Sequence, residues 1–213
     1  PGVPSALGIL KRVEENLTDP SFLAALAGSL RRMAIGYVGV CVLGIGSGLI
    51  LGRYRLLDDL LGTVAVALHA VPGAAWVPLA VLIFGLNESA VIFTILLGAS
   101  GIVMVNTSSG IKDVPPIILR AARTMGAKGP KIFWHVVVPA ATPRIVDGLR
   151  LAWAFGWRAL MAGELLIVSI SGIGRFLNEA AKKGQALELL SLMAIIAAIG
   201  MVVDGLIFRR LEN

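Results

Sequence analysis

Long stretches of this chain are apolar, almost free of charge, and about as long as a bilayer crossing. Residues 33–52 contain no charged side chain, and neither do residues 90–111. A hydrocarbon core about 30 Å thick is crossed by a helix of about 20 apolar residues. Lipid cannot hydrogen-bond the backbone, and no alternating pattern typical of barrel strands is present, so these segments are predicted to be helices. The expected fold class is therefore all-α, in a protein that crosses a membrane several times.

The composition favours the same class and excludes several others. Apolar residues make up 57% of the chain and charged residues only 15%, whereas ordinary soluble domains are about one quarter charged. One cysteine, Cys41, and two histidines give no disulfide and no multi-cysteine metal site. The net charge of +6 is typical of membrane proteins, which concentrate Lys and Arg in cytoplasmic loops. No base-stacking aromatic platform indicates nucleic acid as a partner.

Five membrane-spanning helices are predicted, joined by linkers too short to form a second domain. They cover residues 33–52, 60–84, 90–111, 145–170 and 189–208. Pro72 and Pro78 interrupt the second span, so residues 69–78 are predicted to be broken backbone that lines a pathway or a gate. The polar start of the chain is predicted to be a surface segment with a short amphipathic helix over about residues 6–17.

The distribution of Lys and Arg predicts an orientation. Residues 53–59, 112–144 and the tail after residue 208 hold ten of them, and the pieces on the other side of the membrane hold seven. The positive-inside rule then places the segment 112–144 and the C-terminus in the cytoplasm and residues 1–32 outside. An external residue 1 predicts one further span before it, six in the whole protein.

A stripe of small residues predicts close helix packing in the first span. Gly44, Gly48 and Gly52 recur at every fourth position, with Gly46 alongside. This spacing lets a neighbouring helix approach backbone to backbone. Packing within the chain is favoured over a dimer interface.

The basic segment between the third and fourth spans is predicted to contain a short helix. Pro115 and Pro116 can begin it, and Gly126 and the pair Gly129–Pro130 end it. A helix of under three turns is marginal alone in water, so it needs a partner surface. The alternative is a loop whose charge only fixes the topology and touches anionic lipid.

The spacing within this segment resembles a known motif. Ala121 and Ala122 are followed after three residues by Gly126, and an aliphatic pair ending in Pro139 comes later. This resembles the Glu-Ala-Ala loop of binding-protein-dependent ABC importer permeases. Further blocks resemble the nitrate, sulfonate, taurine and bicarbonate branch of that family in the same order, from about residue 4 to the end: "SLRRMAIGY", "VPGAAWVPLAVLIFGLNESA", "GLRLAW", "AGELL" and "SGIGRFL".

The resemblance implies a type I ABC importer transmembrane domain. Residues 1–213 would form one permease domain, with 1–32 as an external lead-in and 112–144 as the cytoplasmic coupling loop. The loop 116–139 would seat a coupling helix on an ATPase subunit. The residues implied in that contact are Arg120, Ala121, Ala122, Arg123, Met125, Gly126 and Pro139. Arg120 stands where the family has Glu, so a charge pairing with the ATPase different from that of its relatives is expected.

The same resemblance implies an assembly in a bacterial or archaeal cytoplasmic (inner) membrane. The expected partners are two ABC ATPase subunits, a second permease copy forming a homodimer, an external substrate-binding protein and the bilayer. The chain lacks a Gly-x-x-x-x-Gly-Lys-Ser/Thr phosphate loop. It is therefore expected to be non-catalytic and to carry no cofactor, with ATP and Mg on the ATPase subunits.

Polar residues inside the spans are candidates for the substrate pathway because charges there are costly and usually functional or paired. Arg158, next to Trp157, suits planar oxyanions of the nitrate or bicarbonate type and sulfonates of the taurine type; a structural ion pair or a snorkelling side chain is the alternative. Glu164 lies six residues further on, off the face of Arg158, and is favoured as a hydrogen-bond acceptor in helix packing or gating. For His69, hydrogen-bonded packing is favoured over a pathway role, and for Asn106 the two roles are even.

Two other functions compete with the importer. A secondary transporter driven by an ion gradient would need inverted repeats, and none is found in the sequence. An intramembrane enzyme would use Arg158, Glu164 or His69, but no supporting catalytic motif accompanies them.

Overall fold

The computed structural model describes residues 5–208, apart from the side chains of residues 65, 68, 69 and 207. Within that range the chain is helical, with no strand, which confirms the all-α prediction. The helices are α1 Ala6–Thr18, α2 Pro20–Arg53, α3 Arg55–Ala70, α4 Val77–Phe84, α5 Glu88–Lys112, α6 Pro116–Thr124, α7 Pro130–Ile132, α8 Val138–Leu166, α9 Ile173–Lys182 and α10 Ala186–Val203. A 3₁₀ turn covers Gly73–Trp76, and π-helical turns cover Phe133–Val137 and Asp204–Phe208.

Three of the described helices are long and apolar enough to cross a membrane. They are Pro20–Arg53, Glu88–Lys112 and Ala186–Leu206, and they contain or largely overlap the first, third and fifth predicted spans. The fourth predicted span corresponds to α8, whose 29 residues have a length of about 43 Å. Its charged side chains reduce its apolar character; they are Arg144, Asp147, Arg150, Arg158 and Glu164.

The second predicted span is not one continuous helix. Pro72 precedes the 3₁₀ turn, and Pro78 lies in the first turn of α4. Proline fixes φ and has no N–H to donate, so each of these prolines favours a kink or a break in the helix. A Cβ atom at Gly73 would lie 3.1 Å from the Cβ of Ala159, and one at Gly98 would lie 3.2 Å from the Cα of Gly73. The predicted break is confirmed, and it packs tightly against α5 and α8.

Helix α5 lies between α2 and α8 and forms the centre of the core. The glycine stripe of α2 faces it. A Cβ at Gly44 would lie 3.0 Å from the carbonyl oxygen of Ser100, and one at Gly48 would lie 2.7 Å from that of Met104. The predicted packing within the chain is therefore confirmed. Gly46 lies off this stripe, and a Cβ there would meet nothing within 4 Å.

The predicted amphipathic helix near the start of the chain is also confirmed, as α1. It packs on α10, where Asn16 donates a hydrogen bond of 3.0 Å to the Glu188 carboxylate. Arg12 pairs with the same carboxylate and with Glu15. The hydrogen bonds of Arg12 with Glu15 and Glu188 raise the pKa of its guanidinium. Charge-assisted contacts of this kind hold α1 on α10.

Substitution of Gly48 by alanine is expected to destabilise the fold, because the new methyl group would collide with backbone of α5. Overpacking of this kind costs about 1–3 kcal/mol, which a thermal melt in detergent would detect as a lower Tm. Gly46→Ala is the matched control on the same helix and is expected to leave the Tm within error. Equal effects of the two substitutions would contradict the assigned α2–α5 contact.

Candidate functional site

The short helix predicted in the basic segment is present as α6. It ends in a hydrogen-bonded turn: the N–H of Gly126 donates to the carbonyl of Arg123, and the N–H of Ala127 donates to that of Ala122, both at 3.0 Å. Gly126 has φ +85°, a left-handed conformation that favours glycine at a helix end. Gly126 therefore sets where α6 stops, as the sequence predicted.

The two faces of α6 have different surroundings. Leu119 packs on the buried cluster that includes Val114 and Val137, and Ala122 is only 2% exposed. The predicted pair of alanines is thus divided, since Ala122 belongs to the core of this chain and Ala121 remains on the surface.

The outward face of α6 is apolar and uncovered. It consists of Ile117, Ala121 and Met125, which recur at every fourth residue and so form one stripe; we call it the α6 outer face. Met125 is 82% exposed. Arg120 and Arg123 are also exposed, and neither forms an ion pair with any residue that the structure describes.

Pro139 lies where the chain returns towards the membrane. The N–H of Val138 donates to the carbonyl of Phe133, which closes the π-helical turn just before α8. Pro139 follows directly, exposed, in the first turn of α8. Because proline removes a donor and its ring displaces the preceding turn, a wider turn is the local solution. Its observed role is thus to shape the entry into α8.

Glu164 is fully buried at the far end of α8 and joins three helices. Its carboxylate accepts hydrogen bonds from the Ser29 hydroxyl at 2.8 Å and from the N–H of Gly174 at 2.9 Å. The guanidinium of Arg32 forms an ion pair with it. The Ser29 oxygen in turn accepts from the N–H of Ile173 at 3.0 Å. Of the roles considered for Glu164, these contacts match that of an acceptor in helix packing.

The same network extends to the start of α5. Arg32 contacts the carbonyl of Ser171 and, at 3.2 Å, the carboxylate of Glu88, which also pairs with Arg31. A Cβ at Gly172 would collide with the Glu164 carboxyl group, and one at Gly174 would collide with the Glu164 Cβ, so both glycines of the "SGIG" block make room for Glu164. Sequence reasoning missed Arg32, although one signal was available. A carboxylate inside a span requires a cation, and α2 begins at the end where α8 finishes.

Arg158 lies on an exposed part of α8 and does not pair with Glu164, as expected from their spacing. It is eight residues from the end of α8, or about 12 Å along the axis. Its guanidinium carbon lies 5.2 Å from the centre of the Phe155 ring. Together with Trp157, it lines a groove of about 490 Å³ between α8 and α10.

The other residues predicted to line the substrate pathway, Trp157, Asn106 and His69, lie in different surroundings. Trp157 is mostly buried and stacks on Trp153, with ring centroids 6.2 Å apart. The side-chain amide of Asn106 donates to the carbonyl of Ile102 at 2.8 Å, and Asn106 packs against Gly148 of α8, which matches helix packing. The side chain of His69 lies outside the described residues.

Comparison with known proteins identifies related sequences. The family model described as binding-protein-dependent transport system inner membrane component matches residues 42–212. A putative ABC transporter permease protein of Methanocaldococcus jannaschii is 37% identical over 176 residues, which are 83% of this chain and 66% of that protein. The bicarbonate transport system permease protein of Synechocystis is 32% identical over 83% of this chain and 63% of its own length. The chain thus spans just under two thirds of these two relatives.

A third relative and two solved structures extend the comparison. The nitrate import permease protein of Leptolyngbya laminosa is 30% identical over 89% of this chain and 68% of its own length. A chain of the MetNI methionine ABC transporter, in inward-facing conformations, superposes with a TM-score of 0.73 over 91% of this chain and 97% of that one at 17% identity. An amino acid ABC transporter gives 0.69 over 99% and 97%, also at 17% identity. The fold is that of an ABC importer transmembrane domain.

Removal of the Glu164 charge is expected to destabilise the protein strongly. Glu164→Ala leaves the buried Arg32 without its main partner, and breaking a buried pair costs about 3–5 kcal/mol. A thermal melt or denaturant titration in detergent would measure this loss. Glu179→Ala, which breaks the exposed pair with Arg175, is the control and is expected to change stability by less than about 1 kcal/mol. Similar losses for both variants would contradict the role assigned to the network.

Proposed function

Because this chain belongs to the family of binding-protein-dependent transport system inner membrane components, we propose that it is the permease subunit of an ATP-driven importer. The observation that carries the proposal is the α6 outer face, an uncovered apolar stripe on a short helix beside a membrane-spanning core. In this function the chain forms the pathway, and separate ATPase subunits bind ATP and Mg and supply the energy.

The shape of α6 supports a partner that offers a groove. A helix of nine residues gains little from its own hydrogen bonds, so its stability comes from what it packs against. Leu119 and Ala122 anchor one face to this chain, while Ile117, Ala121 and Met125 remain available. An amphipathic helix of this kind binds by laying its apolar face into a hydrophobic groove. Arg120, which lies next to that face, suits an acidic residue at the groove's rim.

A displacement of α6 has a direct structural route into the membrane. Leu119 packs on a buried cluster that includes Val137 of the π-helical turn and Ala141 of α8, and the chain continues from that turn directly into α8. The helix that follows carries Arg158. ATP-driven closure of the ATPase subunits would therefore bias α8 between two arrangements, inward-open and outward-open. The proposed assembly has two ATPase subunits, two copies of this chain and an external binding protein.

The proposed orientation follows from the same assembly. The α6 side faces the cytoplasm, where ATP is available, and α1 faces the exterior together with the Glu164 network. The predicted surplus of Lys and Arg on the α6 side supports this arrangement in an inner membrane.

The substrate class proposed is a small planar anion. Two relatives are named for bicarbonate and nitrate, and Arg158 presents a cation well inside α8. An exposed guanidinium at that depth is costly against lipid tails but not against an aqueous pathway. Its fork of donors matches the geometry of planar oxyanions.

Introduction of charge on the α6 outer face is expected to uncouple the complex. Met125→Glu would place an unpaired carboxylate in an apolar groove and weaken binding of the ATPase subunits by about tenfold or more. Co-purification and the ATPase rate of reconstituted complexes would measure this loss. Met125→Leu keeps the apolar contact and is expected to retain coupling, as is Leu10→Glu at the exposed surface of α1. If the Met125→Glu variant still binds and stimulates the ATPase subunits fully, α6 is not the helix that contacts them. Gly126 is left unchanged because its positive φ would confound the result.

Loss of the Arg158 charge is expected to slow anion uptake without affecting assembly. Arg158→Gln should lower uptake of bicarbonate or nitrate into proteoliposomes by about tenfold, the value of one charge-assisted hydrogen bond. Arg158→Lys retains the charge but not the fork and should give an intermediate rate. Unchanged uptake by the Gln variant would contradict the proposed contact between Arg158 and an anionic substrate. It would not affect the proposed coupling role of α6.

A further inference from the structure

A cluster of unpaired cations lies behind α6, away from its outer face. Arg53 at the end of α2, Arg123 on α6 and Lys128 in the following turn surround a pocket of about 590 Å³. Among the described residues no acidic side chain lines this pocket, and none of the three cations forms an ion pair. Like charges held together repel each other, so the pocket is suited to an anionic group.

A second hollow adjoins the first and is mostly apolar. It has a volume of about 450 Å³ and shares Arg53 and Phe133 with the basic pocket. From there it follows α2 past Ile50 to Gly46. Gly46 leaves it open, because that glycine lies off the stripe that packs on α5 and has no neighbour where a Cβ would be. The hollow therefore lies along the outside of the first predicted span, at membrane depth.

Aromatic side chains mark the junction of the two hollows. The guanidinium carbon of Arg53 lies 5.6 Å from the ring centre of Phe133 and 5.7 Å from that of Tyr54. Both distances suit cation–π contacts, which hold the guanidinium in place. Trp134 is exposed and lines the same apolar hollow. Tyr and Trp are enriched where a membrane protein meets the headgroup region, so this junction matches the boundary between hydrocarbon and water.

We propose that the two hollows together bind one anionic phospholipid from the leaflet on the α6 side. An acyl chain lies along α2 over Gly46, and the phosphate lies between Arg53, Arg123 and Lys128. Guanidinium groups suit phosphate because their forked donors bind two oxygens at once. An acidic protein segment fits less well, because half of the site is apolar and lies along a membrane-spanning helix. Basic pockets between helices at this depth bind anionic headgroups in other membrane proteins.

The consequence is a link between lipid and coupling helix. Arg53 belongs to α2, whereas Arg123 and Lys128 belong to α6 and its turn, so one phosphate would bridge α2 and α6. The bound lipid would hold α6 in position from behind while its outer face stays free. The inference depends on α2 crossing the membrane; it does not depend on which solute is carried or on the identity of the ATPase.

Lipid titration of the purified full chain in neutral detergent tests the proposal. Phosphatidylglycerol is expected to raise the Tm and to give a one-lipid adduct in native mass spectrometry, whereas phosphatidylcholine at the same concentration gives neither. The pair Arg53→Gln and Lys128→Gln should weaken phosphatidylglycerol binding by about tenfold or more. The pair Lys182→Gln and Lys183→Gln removes the same charge from the exposed end of α9 and should leave binding unchanged.

Two further measurements separate a lipid from other anions. Gly46→Trp fills the apolar hollow without touching a cation, and it is expected to abolish the lipid adduct. Inorganic phosphate is expected not to reproduce the rise in Tm. If phosphate alone reproduces it and Gly46→Trp has no effect, the site holds a free anion and the lipid proposal is overturned. Equal binding of the two lipids, or equal loss in the two charge-pair variants, would overturn it as well.

Discussion

The ion pair between Arg32 and Glu164 is the contact on which the arrangement of the helices depends. Neither charge is tolerated in an apolar interior without the other. Their pairing therefore fixes how α2 lies beside α8, and the hydrogen bond that the Glu164 carboxylate accepts from the N–H of Gly174 fixes where α9 begins. Two glycines around it are required by the same residue, because the Glu164 carboxyl group leaves no room for a Cβ at Gly172 and the Glu164 Cβ leaves none for one at Gly174. One buried carboxylate thus accounts for a sequence block, a helix start and a helix crossing.

The two ends of the molecule are built on opposite principles. Around Glu164 nearly every polar group has a partner within this chain, so that end is self-sufficient and is expected to be rigid. Around α6 the chain presents apolar side chains and cations that its own described residues do not satisfy. Unsatisfied surface of both kinds on one short element is typical of a place where other molecules bind. The self-sufficient end around Glu164 and the unsatisfied surface of α6 are joined by the long helix α8. This arrangement suits the proposed function, in which a partner moves α6 and α8 carries that movement into the membrane.

Much of this architecture can be predicted from the sequence because it depends on local patterns. Apolar length predicts the spans, Pro72 and Pro78 predict the break, and Gly126 predicts the end of α6. The contacts that the sequence does not reveal join distant positions. Ser29 and Arg32 both contact Glu164, from which they are separated by more than 130 residues in the sequence. Local periodicity does not predict which cation will pair with a buried carboxylate. The burial of Ala122 was hidden for a related reason, since both faces of α6 are apolar and only the docked helix shows which one is covered.

The position of Arg158 relative to the fixed end of α8 has a mechanical consequence. In the proposed two-state cycle, the part of α8 beyond Pro143, the single proline inside this helix, would turn as a rod about Glu164. Glu164 lies about 32 Å from Pro143 and only about 9 Å from Arg158. By simple leverage, a swing of about 4 Å at Pro143 moves Arg158 by about 1 Å. In that cycle the base of α8 would move widely, while the Arg158 guanidinium, the proposed contact of the solute, would stay almost at rest.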